Sequence, residues 1–567
     1  MKLNDFKPFL FFCFYAVLLI IPFIGLFNLF DWDEINFAES SREMILSDNF
    51  FQVMINFEPF HEKPPLYFWL QVLSMKIFGV SSFAARFPNA LLSVFVPLII
   101  FNIGTKLKNR NFGWIWSIIF LSGFLPNLYF RSGIIDPYFN FFIFLSIYFF
   151  HLYTLSNPSK NIIISGLFSG LAILTKGPVG LLIVIISSVV YLIFIRKPPL
   201  IKHLVLFIIP TVIISSPWYV FELVHKGPWF IVEFIQYQIE LFSVPVAGHK
   251  QPPYYHFVVV LIGCMPFSLF ALSNTYKKSG SEISFERIMR IVLWTVLILF
   301  TVVTTKIIHY SSMAYVPLSF LAAIEIYKIM NGKDLNKLLK FFLLFFGTTI
   351  GLLLAILLYL LIFNKSILIN YIPDPNVQVL LALNLNWRGW EWLIPLILVF
   401  ANFIWLRKPT KNYIKSLAIY SVLIGFTFSL ISCFIIPKVD SAIQGSVISF
   451  YKDISKEKKY VTTVGFKSYA HYFYAEIDKL SKEDQLFLKK DEILENIFSV
   501  NSLNDLNRQE KYKFNNQVLD WLINGNVDRS VYFVARKQKP IFKLNESKNL
   551  KLIKDFGGYQ FYKRELK

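Results

Sequence analysis

Apolar residues fall in long unbroken blocks along most of this chain, separated by short polar connections. About thirteen blocks approach the 20 or so residues that carry a helix across a hydrocarbon core of roughly 30 Å. They cover approximately 9–30, 82–104, 112–130, 138–154, 161–175, 178–195, 204–222, 255–275, 289–305, 310–329, 340–363, 389–406 and 414–436. The blocks are continuous rather than alternating, which predicts membrane-spanning helices and excludes a β-barrel. From residue 438 the pattern changes. Apolar runs shorten to strand length at 460–465, 531–535, 550–553 and 559–562, with helical patterns between them. The chain therefore predicts a polytopic all-α membrane domain over 1–437 and a small soluble α/β domain over 438–567.

Composition agrees. Of 567 residues, 55% are hydrophobic, 18% aromatic and only 16% charged, with a mean hydropathy of +0.53. The formal net charge of +20 is explained by where the basic residues fall. With the N-terminus inside, every cytoplasmic connection is basic: Lys106, Lys108 and Arg110; Lys160; Arg196, Lys197 and Lys202; Lys277, Lys278, Arg287 and Arg290; Lys328, Lys333 and Lys337; Arg407, Lys408 and Lys411. That is the charge bias of inner loops. No basic stripe is interleaved with solvent-facing aromatics, so nucleic acid is excluded as a partner. Counting 64–79 as a span would turn these loops outward, so it reads as an interfacial or re-entrant helix entered through Pro64 and Pro65. The block 9–30 is too long for a signal peptide and reads as an uncleaved first span. Cys13, Cys264 and Cys433 sit inside apolar blocks as small core residues. This threading predicts a bacterial inner-membrane protein whose C-terminal domain is extracytoplasmic.

The outward loops hold the unusual polar sequences. They are Asp31-Trp-Asp-Glu34, His61-Glu-Lys-Pro-Pro65, Arg131 to Asp136, Thr175-Lys-Gly-Pro178, Gly248-His-Lys250 and Lys306-Ile-Ile-His-Tyr310. Each abuts a membrane boundary, and together they suggest one site at the outer surface. The first loop, 31–81, is acidic, with Asp31, Asp33, Glu34, Glu39, Glu43, Asp48, Glu58 and Glu62. Most of these acids read as a solvated loop, with Glu39 or Asp48 as helix caps. Asp33, fixed beside the first span, has a second reading as a general base or sugar-orienting group. Lys63, held by two prolines, suits a lipid phosphate or simply snorkels. Asp136 before Pro137 is either an acid near the donor or an N-cap. Lys176 and Lys306 are cations against apolar runs on the less basic side, and scattered loop polarity explains them poorly. Lys306, His309 and Tyr310 together suit an anionic phosphate. No metal-ligand motif and no nucleotide-binding loop occurs, so an outward-facing transferase here requires a donor that itself crosses the membrane.

Taken in order, these motifs resemble those of the bacterial aminoarabinose transferases and their protein-mannosyltransferase-like relatives. Asp-Glu-x-x-Phe-Ala-Glu-x-x-Arg-Glu-Met at 33–44 resembles their first-loop motif, and Glu-Lys-Pro-Pro-Leu-Tyr-Phe-Trp at 62–69 their second. Arg131 to Asp136, Thr-Lys-Gly-Pro at 175–178 and Thr-Lys-x-x-His-Tyr at 305–310 follow in the family's order. The resemblance implies a GT-C fold and an inverting glycosyltransferase that takes its sugar from undecaprenyl phosphate. It implies catalytic roles for Asp33, its neighbour Glu34 and Asp136. Lys63 and Tyr310 are implied in binding the lipid phosphate, with Arg131, Lys176, Lys306 and His309 as further donor-binding candidates. The acceptor it implies is extracytoplasmic: lipid A, a glycan or a protein hydroxyl. No cofactor is expected beyond the lipid-linked co-substrate. One departure stands out. Many relatives carry a phosphate-binding arginine after the seventh span. Gln236-Tyr-Gln-Ile-Glu-Leu-Phe242 has no basic residue, leaving Lys250 or Lys306 to substitute. The rival class is a transporter or flippase of charged lipids, which predicts ionisable residues at mid-membrane or repeated halves; neither is seen in the sequence.

Overall fold

A computed structural model describes residues 3–566, apart from 61, 157–158, 246–249, 275–283, 373–374, 408–412, 501–502, 538–543 and 545–546. His61, Gly248, His249, Lys277, Lys278, Lys408 and Lys411 lie outside the described residues. Every one of the thirteen apolar blocks is helical over most of its length. Among the described residues, seven helices are long and apolar enough to cross a membrane: Phe6–Phe23, Ser82–Leu107, Asp136–Ser156, Ile201–Lys226, Ile308–Met330, Lys337–Phe363 and Tyr413–Asp453. Other blocks are broken into shorter pieces, such as Arg110–Ser122 followed by Phe124–Tyr129, and Tyr255–Gly263 followed by Phe267–Leu272. The breaks fall near Gly123 and Pro266, where the helical ladder cannot continue undisturbed. The architecture is that of a multi-pass membrane protein.

Close helix contacts are made through small residues, the usual device where no water drives helices together. Helix Ser159–Lys176 lays Gly166 and Gly170 against helix Ile201–Lys226. A Cβ at Gly170 would sit 2.8 Å from the Thr211 carbonyl oxygen. The Thr211 hydroxyl donates to the Gly166 carbonyl at 3.0 Å across the same seam. Among the described residues, basic connections meet in pairs at one end of the bundle: Asn109 donates to Tyr327 (2.6 Å) beside Lys108, and Lys197 to the Thr154 carbonyl (3.1 Å).

The first loop is at the other end, and it is folded rather than solvated. It forms helix Asp33–Ser47, a two-strand hairpin β1 (Met54–Ile55) and β2 (Glu58–Pro59), and helix Leu66–Phe78. The last agrees with the interfacial helix expected at 64–79. Glu39 and Glu43 are neither solvated nor caps, as expected for most of the loop acids, but fully buried mid-helix groups. Arg42 donates to both Glu39 oxygens at 2.8 Å, and Glu43 accepts from the backbone N–H groups of Asn56 and Phe57 (2.6 and 2.8 Å). Burial and the neighbouring Glu39 carboxylate push the Glu43 carboxyl well above the usual glutamate range. Asp48 does end this helix, in the left-handed conformation.

The C-terminal region contains a four-stranded sheet, β3 (Lys459–Val464), β4 (Ser530–Arg536), β5 (Lys551–Phe556) and β6 (Tyr559–Arg564), in the order β3-β4-β6-β5. β3 and β4 are parallel; the other pairs are antiparallel. All four strands fall where the sequence pattern put them. The boundary does not: the last helix continues from Tyr413 through 438 to Asp453, with wide turns at Ile431–Ile435 and Ser441–Gly445. A polar stretch beyond residue 438 is compatible with a helix leaving the apolar phase, which the apolar pattern could not distinguish from a linker. One core joins this region to the first loop, through Phe37, Tyr67, Phe68, Tyr451, Tyr474, Tyr532 and Phe561. Leu29 donates its N–H to Tyr474 Oη (2.7 Å), and Arg42 reaches the Ile477 carbonyl (2.7 Å). The C-terminal domain is thereby held at the end of the bundle that carries the first loop.

Candidate active site

At that end a cavity of about 100 Å³ is lined by six separate parts of the chain. Asp33 heads helix Asp33–Ser47, Asp136 heads helix Asp136–Ser156, and Lys176 ends helix Ser159–Lys176. Glu62 and Lys63 precede the Pro64-Pro65 pair that starts helix Leu66–Phe78. His309 and Tyr310 lie on the short turn before helix Tyr315–Met330. All seven side chains line the cavity. The local reason is shared: a polar residue at a helix end marks where an apolar block stops, and these blocks stop at one level.

Charges of both signs alternate around the wall. Asp136 Oδ1 accepts from Lys176 Nζ at 2.5 Å. Asp33 Oδ2 lies 3.7 Å from His309 Nε2, and Lys63 Nζ 3.9 Å from Glu62 Oε2. The Lys176 ammonium lies 5.1 Å from the Tyr310 ring centre and that of Lys63 5.2 Å from the Tyr237 ring, distances typical of cation–π contact. Burial pulls the Lys63 ammonium below the ordinary lysine range, against the pull of Glu62 and Asp33. The Tyr237 hydroxyl bonds to Glu62, and burial together with that carboxylate raises its pKa. Asp33 keeps 43% of its side chain exposed while Asp136 keeps 3%. The arrangement offers one open carboxylate at the mouth, one closed carboxylate within, and two ammonium groups between. Among the described residues, no group of three or more His, Cys, Asp or Glu is placed to hold a metal ion.

Three residues expected in the site lie outside it. Glu34 turns away from Asp33 into the protein, where Arg86 donates to both of its oxygens (2.8 and 2.6 Å) and the N–H groups of Phe30 and Gly133 complete its shell. Arg131 is buried and spent on Asn127 Oδ1, the Leu19 carbonyl and the Gly425 carbonyl, tying the first span to the last. Lys306 donates to the Thr301 and Val303 carbonyls (3.0 and 2.5 Å), closing the end of helix Ser284–Val302. Each makes two or more hydrogen bonds to the scaffold, although the buried Arg131 Nη1 has no described partner. Lys250 is exposed and bridges Thr305 through its backbone, so neither proposed substitute for the missing arginine lines the cavity. Tyr237, Gln238, Leu241 and Phe242 do line it. They belong to the stretch that lacks a basic residue, on a helix, Pro228–Ser243, that the sequence pattern did not register. Glu62 was visible only as one of many loop acids. Its place beside Lys63 and the two prolines was the available signal.

A multi-pass bundle with a polar cavity at one end, capped by a small α/β domain, is the GT-C architecture. The family model for dolichyl-phosphate-mannose-protein mannosyltransferases matches residues 62–221. The chain is 30% identical over 329 residues to an undecaprenyl phosphate-alpha-4-amino-4-deoxy-L-arabinose arabinosyl transferase of Wigglesworthia glossinidia brevipalpis, covering 55% of this chain and 57% of that one. A Proteus mirabilis protein of the same description is 26% identical, covering 57% and 60%. The chain thus spans a little over half the length of these curated relatives. The crystal structure of ArnT from Cupriavidus metallidurans bound to undecaprenyl phosphate superimposes with a TM-score of 0.74, over 98% of this chain and 97% of that one, at 16% identity. The chain has the ArnT fold, and the resemblance carried by its loop motifs extends to sequence similarity over more than half its length.

Proposed function

We propose that this protein is an inverting glycosyltransferase that moves a sugar from a polyprenyl phosphate, such as undecaprenyl phosphate, to an acceptor on the outer side of the inner membrane. The observation that carries the reading is the convergence of Asp33, Lys63, Asp136, Lys176, His309 and Tyr310 on one cavity at a helix-end level. Lys63 and Lys176, with the Tyr310 hydroxyl, hold the carrier phosphate and stabilise the charge that grows on it as the sugar leaves. Asp33, open at the mouth and oriented by His309, takes the proton from the acceptor hydroxyl as that oxygen attacks the anomeric carbon from the opposite face. Asp136 orients Lys176 and lies where it can bond a sugar hydroxyl. The Tyr237–Gln238 face stands where relatives use an arginine, so phosphate binding rests on the two lysines. Three lining carboxylates against two ammonium groups leave one carboxylate unmatched, which favours a donor sugar that carries an amine. The reading invokes no metal.

A lipid transporter is disfavoured because the ionisable residues of the cavity lie at one end of the bundle and not midway along it. The deciding measurement uses purified protein in liposomes with a radiolabelled undecaprenyl-phosphate sugar and total envelope lipids and proteins as acceptors. Label should move to an acceptor, and Asp33→Asn should stop it. Movement of the intact lipid between leaflets without transfer would refute the proposal.

A further inference from the structure

Helix Pro228–Ser243 contains no Lys, Arg or His, yet one of its side chains touches both members of the Glu62–Lys63 pair. Tyr237 donates its hydroxyl to the Glu62 carboxylate, and its ring centre lies 5.2 Å from Lys63 Nζ. The pair itself stands open. Lys63 Nζ is 3.9 Å from Glu62 Oε2, inside ion-pair range but beyond a hydrogen bond. Both side chains are largely shielded from solvent, so their attraction is stronger than between surface charges, and an open pair needs something to hold it open. The other charged groups facing Lys63 are Asp33, Asp136, Lys176 and His309. Asp136 accepts from Lys176 at 2.5 Å, and Asp33 lies 3.7 Å from His309. Among the described residues, Glu62 is therefore the carboxylate placed to capture the Lys63 ammonium.

We propose that Tyr237 is a positioning residue for phosphate recognition: its hydroxyl holds Glu62 and its ring faces Lys63, which keeps the ammonium out of a closed ion pair and free for an anionic phosphate. This role rests on the transferase reading of the cavity, in which Lys63 meets the carrier phosphate. An ammonium has three donors. Closed on Glu62, it would have to be drawn away before it could serve a phosphate, and that cost would be subtracted from binding. The ring of Tyr237 attracts the cation through its quadrupole and uses none of those donors. The hydroxyl, a neutral donor, occupies the carboxylate without bringing a second cation to the wall.

The test uses the full chain in nanodiscs. Affinity for undecaprenyl phosphate without sugar is measured by native mass spectrometry, beside kcat and KM for the lipid-linked sugar. Tyr237→Phe keeps the ring and removes the hydroxyl. Glu62 should then close on Lys63. Affinity for undecaprenyl phosphate should fall about fivefold or more, a share of the roughly ten- to hundredfold that one charge-assisted contact is worth. Donor KM should rise by a similar factor, with a smaller change in kcat and an unaltered unfolding temperature. The nearer carboxylate should also raise the Lys63 pKa, so the alkaline limit of binding should move to higher pH although binding is weaker. Glu62→Gln removes the capturing charge, so Y237F/E62Q should bind within about twofold of E62Q alone. A site merely loosened by losing the hydroxyl would show the same loss with and without Glu62, and that result overturns the proposal. So does binding by Y237F within about twofold of wild type, or no binding of undecaprenyl phosphate by wild type. Wild type that binds the lipid phosphate but transfers no sugar sinks the transferase reading alone, and the binding cycle then decides the role of Tyr237 by itself.

Discussion

Asp33 and Glu34 are neighbours in sequence, and they belong to different parts of the molecule. Asp33 faces the cavity, keeps part of its surface exposed and meets His309 only at 3.7 Å. Glu34 faces inward, is buried, and accepts four hydrogen bonds between 2.6 and 3.0 Å from Arg86, Phe30 and Gly133. The same contrast runs through the whole site. The carboxylates and cations around the cavity mostly have long or single contacts, which leaves capacity for a ligand. Nearby in the chain, Glu34, Glu39 and Arg42 are held by short bonds to protein partners, and Arg131 gives its Nε and Nη2 to the scaffold while its Nη1 stays without a described partner. A group already satisfied cannot bind substrate without first losing what holds it, so the state of its hydrogen bonds separates site from scaffold.

The sharpest way to break this comparison is to remove each carboxylate while keeping its shape. Asp33→Asn should lower the rate of sugar transfer by about 10²- to 10⁴-fold, the usual contribution of a general base, with unfolding temperature unchanged. A variant within a few-fold of wild type would return Asp33 to an ordinary surface acid. Glu34→Gln should do the reverse. It strands the Arg86 charge in the interior, which typically costs about 3–5 kcal/mol, so thermal stability in detergent should fall while any folded enzyme still turns over. Burial alone would push the Glu34 carboxyl up, but Arg86 and two backbone N–H groups hold it below the usual range. Its contribution is therefore present above the ordinary glutamate pKa and lost as pH falls through the lowered value. Wild type should lose stability on acidification through that window, and Glu34→Gln should not show that component.

Smaller effects sharpen the picture within the cavity. Lys63→Ala should raise the donor KM or lower kcat/KM by ten- to a hundredfold, about 1.5–3 kcal/mol for one charge-assisted contact. Tyr310→Phe removes one hydroxyl and should cost about 0.5–1.5 kcal/mol; a larger loss than for Lys63→Ala would reverse their assigned weights. The finest test is the alkaline limb of kcat/KM, which reports groups of the free enzyme. Burial lowers the Lys63 pKa, so if its charged form binds the phosphate as proposed, activity should fall at a pH below that of an ordinary lysine. Lys63→Arg, always charged, should move that limb upward.

Much of this was written in the chain. Apolar block length determined the helices of the bundle, because the hydrocarbon core sets one length scale and only internally bonded backbone survives in it. Short runs rich in β-branched and aromatic residues marked β3, β4 and β6, with burial strong in β4 and β6 and partial in β3. Polar residues at the ends of apolar blocks marked Asp33, Lys63, Asp136, Lys176, His309 and Tyr310, since a charge beside a membrane span needs a reason to be there.

Tertiary structure decided the rest. Successive helical residues point about 100° apart, so sequence adjacency cannot tell which of Asp33 and Glu34 meets the cavity; packing against Arg86 does. Arg131 and Lys306 carry the right charge at the right level. Carbonyls from residues such as Leu19, Gly425 and Val303 claim them, and such partners leave no mark in the pattern. Helix Pro228–Ser243 lies beside the site with an apolar run too broken to register as a span. It brings Tyr237 and Gln238 to a wall that no local rule could have assigned to them. Local pattern determines where the chain is apolar and where it must stop. The use made of each polar side chain depends on partners that only the assembled bundle brings within hydrogen-bonding reach.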